Sequence, residues 1–370
     1  MPEPYSLVRH AWLPVVLENG RRVFVRPYEI SEPFEGSPII RVATGRPDCD
    51  ISTTEMLIGL LSVALGPKDR RAWAERWRKP PATSELEAAF RPFEPAMLLD
   101  GDGPRFFQDI EPFERMTKDR DWKRPDQLFV DGPGDNTIEE NADHFVKRSG
   151  MECLSRAGAA IALLTIQTMS PSGGPGKLTS VRGGGPLTTI VVPGSSTGEP
   201  SLWERLWANV PLGFQPTGDD IPKVFPWLLP TRQGAKGGIK TTPDHVHIAQ
   251  VFFGMPRRIR LEFKANVERR TCDLLGIEDE WIVVRFTDRP KGTDYAAWSK
   301  CHPLSPYYKM KESDVEFLPL HLQSSRVGYR EWLGKYLFGV HDFSEYLQLC
   351  GGLPRLQELR RQELLLDRGR

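Results

Sequence analysis

Apolar and polar residues alternate along several stretches of the chain, and an alternation with a period of two indicates β-strands. In the stretch AWLPVVLENGRRVFVRPYEI the alternation flanks Asn19-Gly20, a strong signal for a two-residue turn, so the sequence predicts a β-hairpin there. Four more stretches have the composition of strands: LTTIVVPG (187–194), HVHIAQVFFG (245–254), RRIRLEFKAN (257–266) and DEWIVVRFTD (279–288). Together they predict mixed sheets.

A helical spacing of apolar residues predicts helices elsewhere in the chain. The longest is Thr53–Lys79, which begins at the capping-box sequence STTE. The shorter predicted helices are Ser84–Phe90, Ala157–Met169, Pro200–Val210, YREWLGKYLF (329–338) and LPRLQELRRQELLLDR (353–368). Between Arg105 and Gly150 the chain is polar and interrupted by proline. We therefore predict an α+β fold, with an irregular mixed-sheet large domain, protruding loops and a short helical C-terminus.

Composition narrows the function without identifying it. The 370 residues carry 49 basic and 49 acidic side chains, so no overall charge attracts the chain to DNA or to a membrane. Five scattered cysteines without paired spacing, and no hydrophobic region of a signal peptide, indicate the reducing cytoplasm. The longest apolar run, Met56–Leu65, is too short to span a bilayer. Nucleic-acid binding would therefore depend on local basic patches.

Enzyme motifs are incomplete in this sequence. The glycine-rich stretch SPSGGPGKLTSVRGGGPLTTIVVPG (170–194) does not match a nucleotide phosphate loop, because Gly176-Lys177 is followed by Leu178 and Pro171 stands where that loop needs glycine. Three incomplete sets of metal-ligand types occur: His245 with His247, Cys272 with Cys301-His302, and His341 with Asp342. No nucleophile, base and orienting group form a set. The sequence favours a protein without catalysis, metal or cofactor.

Three local basic patches favour binding to nucleic acid. Arg258 and Arg260 lie two residues apart on a predicted strand, so both side chains point to one side and could line a track of phosphates. Arg289 and Lys291 flank a proline in a predicted turn, and HFVKRSG (144–150) combines an aromatic residue with two cations. With the glycine-rich stretch, these patches indicate nucleic-acid binding without catalysis.

Several of these segments together resemble the CasA family, the large subunit of the type I-E Cascade CRISPR surveillance complex. The segments that carry the resemblance occur in the family's order: WLPV, LFVDGPGDNTIEENADHFVKRSG, AGAAIALL, SGGPGKLTSVRGGGPLTTIV, FFGMPRRIRLEF, KCHPLSPYYKMKE and YREWLG. The resemblance covers most of the chain from Met1 to about Gly339. It implies a subunit that recognises the protospacer-adjacent motif (PAM) in double-stranded DNA, from the minor groove, and promotes R-loop initiation.

The resemblance also implies roles for individual residues. Its glycine loop and finger imply DNA and PAM binding by Gly173, Gly174, Gly176, Lys177, Arg289 and Lys291. Which of Arg289 and Lys291 reaches the bases stays open. Its anchoring loop, at the crRNA end of the complex, falls on Phe145, Val146 and Lys147. Arg182, Arg258 and Arg260 are further candidates for phosphate contacts, and the implied partners are the other Cascade subunits, the crRNA and double-stranded target DNA.

The C-terminal part of the chain departs from the family pattern. We expect residues 1–339 to form the DNA-reading domain and residues 340–370 to form a short helical segment, without the wedge hairpin and four-helix bundle of the family. A nuclease would then be supplied by another subunit or protein. An alternative stays open, in which the chain is a purely structural subunit that caps the crRNA 5′ end while another chain reads the motif.

Overall fold

The computed structural model describes residues 3–141, 150–171, 176–194, 198–234, 238–295, 298, 301–309 and 316–321. Its strands are β1 (Leu13–Leu17), β2 (Arg22–Val25), β3 (Ile39–Val42), β4 (Leu154–Ser155), β5 (Arg258–Ala265), β6 (Trp281–Arg289), β7 (Tyr307–Tyr308) and β8 (Leu318–Pro319). Its α-helices are α1 (Pro47–Ala64), α2 (Arg70–Arg78), α3 (Thr83–Phe90), α4 (Asp135–Glu139), α5 (Arg156–Met169), α6 (Leu202–Trp207) and α7 (Ile221–Val224). The mixture confirms the α+β prediction.

The N-terminal sheet has the strand order β2-β1-β3, and all its pairs are antiparallel. The predicted hairpin is confirmed: β1 pairs with β2, and Gly20 adopts a left-handed φ of 81° in the connecting turn. A left-handed backbone favours glycine, which explains why the Asn-Gly signal is informative here.

The centre of the molecule is formed by α1 and α5, which pack against each other. Both helices are buried on nearly every face, as expected of helices that other elements cover on all sides. Gly59 of α1 lets the short 3₁₀ helix Ile248–Phe252 approach, because a Cβ there would lie 2.5 Å from the Cβ of Phe252. The predicted helix Ala157–Met169 is confirmed as α5.

The predicted helix Thr53–Lys79 is wrong in its bounds, since the chain forms two helices there. Helix α1 begins at Pro47, where proline suits the first turn, and ends at Ala64 before Gly66-Pro67. Asp69 then caps α2 by accepting a hydrogen bond from the Ala72 amide at 2.8 Å. The STTE sequence lies inside α1 rather than at its start.

A second antiparallel sheet has the order β4-β6-β5 and contains two of the predicted strands. The register of β5 with β6 runs from Arg258 opposite Arg289 to Ala265 opposite Trp281. Strand β6 therefore ends beside the start of β5, and the turn after Arg289 follows it directly.

Two predicted strands are wrong. Residues 187–194 form no strand: the Thr189 amide donates to the Leu304 carbonyl at 2.7 Å, and the Val191 amide donates to the Asn209 side chain at 2.8 Å. Residues 248–252 form a 3₁₀ helix because the His247 ring accepts a hydrogen bond from the Ala249 amide at 3.2 Å. The predicted helices at 329–338 and 353–368, and the expected segment 340–370, lie outside the described residues.

None of the helices within the described ranges combines the length and apolar character that crossing a membrane requires.

Candidate nucleic-acid interface

A tight turn follows β6 and presents an exposed lysine. Lys291 has a left-handed φ of 68°, a backbone conformation that costs energy for a residue with a side chain. Gly292 behind it is buried, its carbonyl accepts a hydrogen bond from the Gly234 amide at 2.8 Å, and a Cβ on it would lie 1.8 Å from the Pro256 carbonyl oxygen. The contacts of Gly292 with Gly234 and Pro256 therefore fix the turn, while the Lys291 side chain is exposed.

The glycine-rich stretch begins from a closed base at the end of α5. The Ser170 hydroxyl donates to the Leu178 carbonyl at 3.0 Å, so the two ends of the intervening loop are joined. The buried Gln167 side chain accepts from the Arg257 amide at 3.0 Å and donates to the Arg257 carbonyl at 2.9 Å. Arg257 in turn donates to Ser170 at 2.9 Å and to the Pro171 carbonyl. Sequence reasoning missed Arg257, which holds this loop base to the start of β5.

The loop and the turn meet at Gly176. The Lys291 amide donates to the Gly176 carbonyl at 3.1 Å, and a Cβ on Gly176 would lie 2.7 Å from the Cβ of Pro290. Gly176 also has a left-handed φ of 78°. Only glycine meets both conditions without strain, so the structure joins the glycine loop and the finger turn that the sequence treated as separate signals. Gly176, Lys177, Pro290 and Lys291 are all exposed there. Gly173 and Gly174 lie outside the described residues.

Arg289 and Lys291 have different surroundings. The Arg289 guanidinium donates to Glu111 at 2.9 Å and lies 4.6 Å above the ring of the buried Phe113. Lys291 has no ion pair with a carboxylate in the described part of the chain. Arg289 is therefore held beside the sheet, whereas the Lys291 ammonium makes no such pair within the described residues.

The predicted phosphate track on β5 is corrected by the structure. Arg258 and Arg260 do point to one side, but both are buried, and carboxylates take up their guanidinium groups. Arg260 forms a two-bond pair with Glu114 at 2.8 and 2.6 Å, and Arg258 bonds Asp109 and Glu111. In this arrangement they have no face for a phosphate. Their role is to fix the segment around residues 109–114 to the sheet, and Glu111 in turn holds Arg289.

Arg182 is likewise corrected from a phosphate contact to a buried structural group. Its guanidinium donates to Glu55 of α1 at 2.6 Å and to the Ser305 hydroxyl at 2.8 Å. The same Glu55 oxygen, Oε1, contacts His302 Nε2 at 3.0 Å. Because the Leu304 amide donates to His302 Nδ1 at 3.1 Å, Nε2 carries the proton and donates to Glu55. This buried triad (Glu55, Arg182 and His302) joins two segments that follow the glycine loop in the sequence, at residues 182 and 302, to helix α1.

The ionisation of the buried triad follows from its contacts. Burial alone would raise the pKa of the Glu55 carboxyl, but Arg182 and His302 outweigh it and hold that pKa at about 2. Burial, assisted by the charge of Arg182, lowers the pKa of His302 to about 4 against the attraction of Glu55. At neutral pH the triad therefore contains one cation, one anion and a neutral histidine.

We expect the protein to lose stability as the pH falls from about 6.5 to about 2. An unfolded histidine takes up a proton near its ordinary pKa of 6.5 and an unfolded glutamate near 4.5, whereas the folded groups do so only near 4 and 2. The unfolded state thus binds more protons, and the His302 part corresponds to about 3 kcal/mol. Urea unfolding at several pH values measures this. His302→Gln should flatten the profile between about 6.5 and 4; the exposed His245→Gln should not, and equal profiles would contradict the assignment.

The other candidate ligands have ordinary contacts. His245 Nδ1 accepts from the Thr242 amide at 3.2 Å, and Cys272 is buried against Gly158 of α5. Within the described ranges, no three or more His, Cys, Asp or Glu side chains group in a way that could hold a metal ion. Residues Phe145, Val146, Lys147, His341 and Asp342 lie outside the described residues, so the predicted anchoring loop stays a prediction.

A sequence-family model and solved structures of known proteins agree on the family that this chain resembles. The sequence model of the CRISPR-associated protein Cse1 matches residues 6–364. Solved structures with the same fold include Cse1 from Acidimicrobium ferrooxidans (TM-score 0.58, 18% identity, 90% of this chain and 61% of that one) and CasA from Thermus thermophilus (TM-score 0.63, 20% identity, 99% and 66%). A chain of a CRISPR RNA-guided surveillance complex in a pre-nicking state gives a TM-score of 0.58 at 15% identity, covering 88% of this chain and 62% of that one.

The chain is shorter than these relatives. It spans 61% of the length of the Acidimicrobium protein and 66% of the Thermus protein. An uncharacterized protein of Archaeoglobus fulgidus is 44% identical over 62 residues, which are 17% of this chain and 13% of that protein.

Proposed function

Because the chain belongs to the CRISPR-associated protein Cse1 family, we propose that it is the large, non-catalytic subunit of a type I-E RNA-guided effector complex. In this role it recognises the PAM in double-stranded target DNA and promotes R-loop initiation. Its partners are the other Cascade subunits, the crRNA and the target duplex, and a nuclease is supplied by another subunit or protein. We place this activity in the cytoplasm.

One observation supports this proposal most strongly: the hydrogen bond of 3.1 Å between the Lys291 amide and the Gly176 carbonyl. It places the main chain at Gly176, which carries no side chain, beside the exposed cation of Lys291. The minor groove is about 6 Å wide and distinguishes base pairs mainly by whether a guanine amino group is present. A glycine backbone can approach that floor closely, and a lysine beside it can bind the acceptors of the bases or the phosphates along the groove.

The experiment is reconstitution of the complex with guide RNA and the subunits encoded beside this chain. Binding to target duplexes that carry a randomised flank is measured with and without the chain. We expect the chain to be required for the flank preference. If the assembled complex binds with the same preference without it, another subunit reads the motif and the chain is structural, as in the alternative that caps the crRNA 5′ end.

Gly176→Val should weaken binding of the complex to target duplex by about tenfold while leaving assembly intact. The left-handed φ of 78° disfavours a side chain by about 1–2 kcal/mol, and the new Cβ would displace Pro290 and with it Lys291. Gly213→Val is the matched control, because Gly213 has a φ of 74° but open space around its Cβ position. Size-exclusion chromatography reports assembly, and an equal loss of assembly and binding would make the loop structural.

A further inference from the structure

A second charged surface lies far along the sequence from the glycine loop, on α2 and its flanks. Residues 68–79 contain six basic and two acidic side chains. We call their exposed cations the α2 basic surface: Lys68, Arg70, Arg71, Arg78 and Lys79. Arg71 pairs with Glu75 at 3.1 Å, and Arg76 pairs with Glu85. The remaining cations, Lys68, Arg70, Arg78 and Lys79, make no ion pair with a carboxylate of the described residues.

The α2 helix is mounted rigidly on the core. A helix of nine residues is marginal by itself, so packing must hold it. Trp73 does this: its indole N–H donates to the Trp207 carbonyl at 3.2 Å, and the Trp207 indole donates back to the Trp73 carbonyl at 3.0 Å. Both indoles are buried. The core therefore holds α2, and with it its exposed cations, in a fixed position. The apolar face of α2 is already packed against the core.

The exposed face of α2 fits an extended polyanion. No large apolar side chain of α2 is exposed, which disfavours insertion into a membrane or an apolar protein interface. Arg71 and Arg78 lie seven residues apart, so they fall on one side of the helix at about 10 Å spacing. Since the whole chain is electrically neutral, this local excess of charge is not part of a general cationic surface.

We propose that the α2 basic surface binds the phosphate backbone of double-stranded DNA, without reading its sequence. Single-stranded nucleic acid is usually bound with bases stacked on exposed aromatic rings, and the nearest ring, Trp77, is half-buried and stacks on Trp73 at 5.5 Å. A duplex needs only phosphate contacts. This inference rests on the proposed function in one respect: the proposed function brings double-stranded DNA to the chain. The α2 basic surface would add a second contact to that DNA, one that requires no motif.

The test uses the full chain and a duplex of about 30 base pairs that lacks target and motif. Fluorescence anisotropy gives the association constant over about 50–250 mM salt. The variant is Arg70→Gln/Arg78→Gln/Lys79→Gln. The control, Arg21→Gln/Arg91→Gln/Arg269→Gln, removes the same charge from ion-paired arginines whose side chains are 55%, 73% and 81% exposed. We expect the salt slope of the α2 variant to fall by about 0.9 per lost contact and that of the control to stay nearly unchanged.

Equal slopes for the α2 variant and the control would overturn the proposal. A larger loss on single-stranded RNA than on duplex DNA would also overturn it, by assigning the surface to RNA. Far-ultraviolet circular dichroism confirms that each variant is folded, and Arg78→Gln alone provides a milder change. The two proposals fail separately: the α2 variant should keep the motif preference of the assembled complex, whereas a variant of Lys291 should lose that preference and keep the motif-independent salt slope.

Discussion

Replacing Arg182 by methionine should lower the free energy of unfolding by about 3–5 kcal/mol, the largest effect on stability that we expect from one substitution in this chain. The substitution leaves the Glu55 carboxylate buried but removes the Arg182 cation, the main group that lowers the pKa of Glu55 against the effect of burial. It also removes the bonds from Arg182 to Ser305 at 2.8 Å and to Thr188 at 3.0 Å. Urea unfolding at neutral pH measures the loss.

The double variant Arg182→Met/Glu55→Leu separates an unpaired charge from a lost contact. Replacing both charges by apolar groups removes the buried carboxylate, so we expect the double variant to recover part of the stability lost by Arg182→Met. Arg91→Met is the surface control, because its pair with Glu87 is 3.9 Å long and exposed, and it should change stability by less than about 0.5 kcal/mol. A double variant less stable than Arg182→Met would contradict this account of the buried triad.

Lys291→Ala should weaken binding of the assembled complex to a motif-bearing duplex by about tenfold to a hundredfold. A well-made contact to a base contributes about 1–3 kcal/mol, and Lys291 is an exposed cation whose amide bonds the Gly176 main chain. The loss should shrink on duplexes without the motif. Native gel shifts with matched duplexes measure both values.

Arg289→Ala is the comparison that tests the division of roles. Because Glu111 and Phe113 already hold the Arg289 guanidinium, we expect its removal to change duplex binding by less than about threefold, and to lower stability instead. If Arg289→Ala abolishes motif preference and Lys291→Ala does not, the assignment of the DNA-facing cation is reversed.

Local chemistry made most of the fold predictable from the sequence. The Asn19-Gly20 turn, the apolar period of α5 and the alternation of β5 and β6 all act over a few neighbouring residues. The failures arose where a distant contact or an overlooked local signal decided the structure. Gly66-Pro67 divides the long helix predicted for Thr53–Lys79. Residues 248–252 lie in a segment of strand-like composition but form a 3₁₀ helix that packs on Gly59.

The sequence predicted which residue types form the candidate site, but not which residues contact one another there. Glycines and cations could be named from the sequence, but a charged residue looks the same whether it meets solvent or a carboxylate across the fold. Glu55 lies 127 residues from Arg182, and Glu111 lies 178 residues from Arg289, so neither partner is visible in a local pattern. The alternation on β5 correctly predicted that Arg258 and Arg260 share one face of the strand. It could not show that the segment at 109–114 covers that face.

Site-specific crosslinking from position 291 tests whether Lys291 faces the motif in the bound duplex. A photo-crosslinking amino acid replaces Lys291 in the reconstituted complex, with one in place of Arg115, whose side chain is 63% exposed, as the control. Bound target duplex is then irradiated and the crosslinked nucleotides are mapped. We expect position 291 to crosslink to the base pairs of the motif beside the target, and position 115 not to do so. Crosslinks from position 291 to guide RNA alone, or to no nucleic acid, would contradict this expectation.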